Sequence, residues 1–191
     1  YGAALHKGFG GRYRSSAVAQ EKSGEVWVNG VMFGNAVRGE FDECEVAFFV
    51  GKNPYQSHSI PHARTTLKAI ASDPNRSMVV IDPRVTETAE MADLHLALKP
   101  GSDVALYHGL LHLLLAQGLT DPAYIAAHTT GFEALAERVR AFPPAETARL
   151  TGLSEADLRT AARWFGESPA TLSLYCQGLN QSASGTDKTA A

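Results

Sequence analysis

The sequence predicts an α/β fold, a doubly wound and mostly parallel sheet with helices on both faces. Three short apolar runs, each broken by a polar loop, carry that expectation. Val46-Ala-Phe-Phe-Val50 stops at Gly51-Lys-Asn-Pro-Tyr-Gln-Ser-His58, Met78-Val-Val-Ile81 at Asp82-Pro-Arg-Val-Thr-Glu-Thr88, and Leu94-His-Leu-Ala-Leu98 at Lys99-Pro-Gly-Ser-Asp103. Between the first two, Ile60, Ala63, Leu67 and Ile70 recur at helical spacing, as the crossover helix of a βαβ unit requires. Parallel strands in such a fold deliver their following loops to one edge, so the three polar loops should share a crevice.

The elements follow in order. Residues 1–45 contain glycines at 8, 10, 11, 24, 30, 34 and 39, too close for long elements, and read as an irregular N-terminal arm with one short helix around Ser16 to Lys22. Within it, Gly8-Phe-Gly10-Gly-Arg-Tyr13 imitates a dinucleotide fingerprint only superficially, because no strand precedes it and Tyr13 replaces the third glycine. The folded domain spans 46–191: strand 46–50, helix 59–72 ended by Asp73-Pro-Asn75, strand 78–81, a short helix at 88–92, strand 94–98 and a helix at 102–117. That last helix is apolar around most of its circumference and is expected deep against the sheet. From 120 to 165 the period is helical, with start signals at Asp121-Pro122, Thr130-Gly131, Pro143-Pro144, and Ser154 with Asp157. A fourth strand, 170–176, ends in a polar loop at 177–186.

A chain of 191 residues, 45% hydrophobic and 19% charged, has ordinary globular composition. Its net charge of −3 offers no general field for nucleic acid or an anionic membrane. The longest apolar stretch, Leu110 to Ala116, is far shorter than the ~20 residues a bilayer helix needs, and no basic-then-apolar segment opens the chain. No membrane insertion by this segment and a cytoplasmic location are expected. Cys44 and Cys176 lack metal-ligand spacing and read as buried free thiols. A start at Tyr1 without methionine and an end in helical-looking sequence suggest a fragment of something larger.

Each candidate site has a functional and a plain reading. In 51–58, Gly51 permits close backbone approach, Asn53, Gln56, Ser57 and His58 are neutral donors and Lys52 a charge. A loop entering a helix suits a phosphate, although Asn53-Pro54 also serves as a breaker and Ser57 as a helix cap. Asp82 ends the second strand, where an acid can accept from ribose hydroxyls, but Asp82-Pro83 is also a common turn pair. Asp103 can complement a helix dipole, or present a carboxylate to the N1 and N2 edge of guanine. His58/His62 and His108/His112 are each four apart, as two imidazoles on one helix face would be, yet no zinc-peptidase glutamate or third ligand accompanies them. No G-x-S-x-G elbow supports a hydrolase.

Taken together and in order, Gly51-Lys-Asn-Pro-Tyr-Gln-Ser-His58, Ile81-Asp-Pro-Arg-Val-Thr-Glu-Thr-Ala-Glu-Met-Ala-Asp93 and Lys99-Pro-Gly-Ser-Asp103 resemble the molybdopterin oxidoreductase family. The resemblance continues through Leu119-Thr-Asp121, Thr130-Gly-Phe132 and Gly178-Leu-Asn-Gln181. It implies a Rossmann-like domain of a formate dehydrogenase-like enzyme that binds one guanine dinucleotide arm of a molybdenum bis(molybdopterin guanine dinucleotide) cofactor. Gly51, Lys52, Asn53, Pro54, Gln56 and Ser57 would lie along the phosphates and nucleoside. Asp82, Pro83 and Arg84 would sit near the ribose, Gly101, Ser102 and Asp103 at the guanine, and Gln177 and Gln181 toward the pterin. The position before Ser15-Ser-Ala-Val-Ala19, where relatives place a cysteine or selenocysteine metal ligand, corresponds to Tyr13.

The resemblance further implies that an iron-sulfur cluster belongs outside this segment. The partners implied are the remaining domains of the same chain and a small-molecule redox substrate. The isolated segment is expected to carry no cofactor and to be inactive. Two alternatives stand beside this reading: a free-standing NAD- or FAD-type nucleotide-binding domain related to the central domain of thiamine enzymes, and a non-catalytic structural α/β module.

Overall fold

In the computed structural model, which describes residues 2–13, 22–35, 37–58 and 60–191, four parallel strands form a sheet ordered β3-β2-β1-β4. They are β1 (Val46–Val50), β2 (Ser77–Ile81), β3 (Leu94–Leu96) and β4 (Thr171–Tyr175). Parallel sheets are covered on both faces, so central strands are apolar at every position. All five residues of β1 are buried. Val46, Phe48 and Val50 point into a core completed by Leu106, Leu113, Leu158 and Ala161. Ala47 and Phe49 point the other way, onto Leu67, Ile70, Ala63 and Phe41. Both thiols are buried and free.

The helices among the described residues, in chain order, are α1 (Gly2–Gly8), α2 (Ser23–Phe33), α3 (Pro54–Ser57), α4 (Ala63–Ser72), α5 (Asp103–Gln117), α6 (Pro122–His128), α7 (Phe132–Val139), α8 (Pro144–Thr151), α9 (Glu155–Glu167), α10 (Gln177–Asn180) and α11 (Gly185–Ala190). Two of the expected start signals form side-chain caps. Asp121 accepts from the Tyr124 N–H at 2.9 Å, and Ser154 accepts from the Asp157 N–H at 3.0 Å while donating its hydroxyl to the Asp157 carboxylate. Among the described residues no helix is long and apolar enough to cross a membrane.

Several boundaries differ from the sequence reading. Among the described residues the arm holds two helices, α1 and α2, where the sequence suggests one short helix and loops. The expected helix at Ser16 to Lys22 falls almost wholly outside the described residues. Helix α2 tolerates Gly24 because it packs on α11: a Cβ at Gly24 would meet the Thr186 hydroxyl at 2.5 Å. The crossover helix starts at Ala63 instead of 59, since His62 adopts a left-handed backbone at φ 46°. The short helix at 88–92 is a 3-10 turn, Ala89–Met91. Strand β3 stops at Leu96 because the chain then leaves the sheet, and the Lys99 N–H finds the Thr151 carbonyl at the end of α8 at 2.8 Å. The expected polar loop at 177–186 contains α10 and the start of α11.

Helix α5 is less deep than its composition suggests. Only Leu106, Gly109 and Leu113 are buried. Leu110, Leu111 and Leu114 instead line a cavity of about 360 Å³ between α5 and the sheet face bearing Phe48, Val50 and Ile81, with Lys188, Thr189 and Ala191 of the last helical segment at its border.

Candidate functional site

The register places the loop origins level with one another. Val50 aligns with Ile81 of β2 and Tyr175 of β4, and Ile81 with Leu96 of β3. Gly51, Asp82 and Cys176 therefore leave the sheet at one edge. The ladder extends one step past the strands there: the Gly51 N–H donates to Ile81 O at 2.8 Å, Cys176 to Val50 O at 3.2 Å and Gly178 to Gly51 O at 3.1 Å. From β1 the chain moves outward through β2 to β3, then returns to the other side of β1 as β4. Such a reversal leaves a crevice outside the carboxyl ends of the two diverging strands, where open α/β sheets bind ligands. Gly51, at φ +54°, lies so close that a Cβ on it would be 2.8 Å from the Gly178 Cα.

The loop after β1 is held by the loop after β2. Asn53 donates its side-chain amide to Glu87 at 2.8 Å and accepts from the Thr88 hydroxyl at 2.7 Å. Gln56 donates to the other Glu87 oxygen. The Thr88 hydroxyl also accepts from the Tyr55 N–H at 3.3 Å, and Thr88 is fully buried. Lys52 and Pro54 are buried, whereas Gln56 and Ser57 are exposed. Helix α3 is a single turn containing Ser57, so Ser57 caps no helix, and the aligned dipole available to an anion is correspondingly short. Sequence reasoning assigned no role to Glu87 or Thr88. Their motif was visible, but nothing in its spacing says that Glu87 folds back across the crevice to two amides 31 and 34 residues earlier.

Hydrogen bonds from Asn53, then from its own backbone, outweigh desolvation and hold the Glu87 carboxyl below the usual range, with smaller lowering contributions from Gln56 and the Arg84 charge. A depressed carboxylate contributes its stabilisation above its unfolded pKa, ~4.3, and loses it as pH falls through the lower folded value. The Asn53 and Gln56 side-chain amide resonances should therefore be constant from about pH 7 to 5, and shift together only at more acidic pH. Independent shifts near neutrality would show that Glu87 does not anchor them.

Asp82 performs the turn role of its plain reading, accepting from the Arg84 N–H at 2.9 Å, while the His95 ring meets its carbonyl at 2.8 Å. Pro83 and Arg84 are exposed. Asp103 opens α5 after Gly101, whose φ of +87° suits glycine. Ser102 turns its hydroxyl back to Lys99 O at 2.6 Å and caps nothing. The Asp103 carboxylate accepts from Lys188 Nζ of α11 at 2.9 Å, both side chains being largely covered. One turn along α5, the buried Tyr107 hydroxyl has no partner. Burial, and then the Asp103 charge, push its ionisation upward.

Gln177 accepts from the Cys176 thiol, and Gln181 is exposed just after α10. The site residues are thus linked in sequence of contact: the 51–56 loop to the 82–88 loop through Glu87 and Thr88, Gly51 to α10 through Gly178, and Asp103 to α11 through Lys188. Tyr13 is 92% exposed, its carbonyl meeting the His6 ring at 2.7 Å. Residues 15–19, used to align the metal-ligand position, lie outside the described residues.

Of the two histidine pairs, only His108 and His112 share a helix, four apart on α5 as their spacing suggested. His58 and His62 both adopt left-handed turns. The His108 ring packs tilted against Phe142 with 4.7 Å between centroids, and His112 Nδ1 meets Val139 O at 3.0 Å. Among the described residues no group of three or more His, Cys, Asp or Glu side chains could hold a metal ion.

A family model described as molybdopterin oxidoreductase matches residues 5–191. The chain belongs to the molybdopterin oxidoreductase family. It is 40% identical over 149 residues to a nitrate reductase of Synechocystis sp., covering 78% of this chain and 20% of that protein. To formate dehydrogenase H of Escherichia coli it is 35% identical, covering 83% and 22%. The solved acetylene hydratase from Pelobacter acetylenicus superposes with a TM-score of 0.77 at 26% identity, over 92% of this chain and 24% of that one. The chain thus spans about a fifth of the length of these molybdopterin relatives.

Proposed function

We propose that this chain supplies the binding surface for one guanine dinucleotide arm of a bis(molybdopterin guanine dinucleotide) molybdenum cofactor, within a longer enzyme that oxidises or reduces a small molecule. The observation that carries the reading is that the Gly51 and Asp82 loops leave one edge of the sheet together, beside the strand-order reversal between β1 and β4, with the Asp103 carboxylate at the helix that follows β3. The donor set fits the nucleotide end of that group. A carboxylate at a helix start offers acceptors for the guanine N1 and N2 hydrogens, and one turn along the same helix the buried Tyr107 hydroxyl is left without a partner.

In this reading Asp103 with Gly101 and Ser102 holds the base, Asp82 with Pro83 and Arg84 faces the ribose, Gly51 to Ser57 runs along the phosphates, and Gln177 and Gln181 face the pterin. The bound cofactor supplies the redox-active metal centre. This chain's residues bind and orient it. Contacts to a single arm are a partial set, and association alone costs about 4 to 15 kcal/mol, so retention of the cofactor depends on the other domains of the longer protein.

Titration of the cofactor-free protein with guanine and adenine dinucleotides tests the assignment. Saturable binding of the guanine forms with little affinity for the adenine forms is expected. Preference for adenine would favour an NAD- or FAD-type domain, and binding of neither would favour a structural module.

A further inference from the structure

The Asp103–Lys188 pair is unlike the other ion pairs among the described residues. Those join residues three or four apart on one helix, and most are well exposed. This one spans 85 residues, and its side chains are only 12% and 14% exposed. It ties α11 to the first residue of α5. The ammonium also occupies an oxygen that a guanine edge needs, since reading N1-H and N2-H together requires both carboxylate oxygens.

We propose that Lys188 is an internal stand-in for the guanine base, a cation that neutralises Asp103 while the crevice is free of nucleotide and must leave when guanine binds. The inference rests on the guanine reading of Asp103. Its physical basis is the cost of an unpaired, largely covered carboxylate: without a ligand, Asp103 needs a cation, and the chain supplies one from the helix just past the pterin-facing turn. The surroundings allow the exchange. Lys188 borders the cavity of about 360 Å³ under α5, so its flexible stem has space to withdraw into.

A side chain that must be displaced weakens the apparent affinity by the fraction of time the site is open, so removing it should tighten binding. Calorimetric titration of the full-length, cofactor-free parent and variants with GDP makes the comparison. Lys188→Met should bind GDP on the order of fivefold or more tightly than the parent, with ADP unchanged. Lys188→Arg, which can engage the carboxylate through two N–H groups, should bind GDP more weakly. These opposite directions separate the stand-in from a folding defect, which would weaken both. Hydrogen exchange of amides 185–191 should rise on adding GDP to the parent protein.

If Lys188→Met binds GDP no better than the parent while Asp103→Ala loses it, Lys188 is not displaced and the inference fails with the guanine reading intact. If Asp103→Ala binds GDP as well as the parent, the guanine reading falls and this inference with it.

Discussion

Asp103→Ala in the full-length protein should lower guanine and molybdenum content together, and more severely than Asp103→Asn. The amide keeps one acceptor for the guanine edge, while alanine keeps none. A hydrogen bond to a charged group is worth about 1.5 to 3 kcal/mol, or roughly tenfold or more in affinity. Both variants also remove the charge that Lys188 pairs with at 2.9 Å, so the difference between them reports the retained acceptor and not the loss of the ion pair. Metal analysis and mass spectrometry of the released nucleotide provide the measurement. Equal, full occupancy in both variants would reduce Asp103 to a residue that complements the helix dipole.

Gly51→Ala should be among the most damaging single substitutions in the sheet. Two independent terms oppose it. The left-handed backbone at φ +54° costs a non-glycine residue about 1 to 2 kcal/mol. The new methyl would also stand 2.8 Å from the Gly178 Cα and 2.9 Å from its carbonyl carbon, and these are backbone atoms with no rotamer to escape into. Moving backbone to admit one carbon in a packed site costs about 1 to 3 kcal/mol more. A loss of about 2 to 5 kcal/mol in denaturant unfolding follows from these two terms. The cost cannot be confined to the loop, because Gly178 N–H donates to Gly51 O and thereby joins β1 to the segment after β4. A variant with an unchanged midpoint would show that the two turns are not pressed together in solution.

The sequence alone determined the sheet and its family. Uninterrupted runs such as Val46-Ala-Phe-Phe-Val50 have few conformations that bury every side chain, and the parallel strand is the one compatible with a helix between successive runs. Glycine at 51 and 101, and Asp82 beside Pro83, announced the turns because backbone sterics act locally. Asp121 and Ser154 announced helix starts for the same reason. The ordered motifs named the molybdopterin oxidoreductase family because they fall on these locally fixed turns.

Only the tertiary structure decided which groups face which. The strand order, and with it the reversal between β1 and β4, follows from packing on both faces and is not encoded in any one segment. That Gly51 needs glycine twice, for its φ and for Gly178, appears only when β4 lies beside β1. Glu87 gathering the Asn53 and Gln56 amides, and Lys188 crossing to Asp103, join residues 31 to 85 positions apart. Long polar side chains have many local rotamers of similar energy, so their partners are chosen by whatever charge the fold brings within reach. The same reason explains why helix α5, apolar in sequence almost all round, leaves one face open on a cavity: composition records how much surface a helix can bury, while its neighbours decide how much it does.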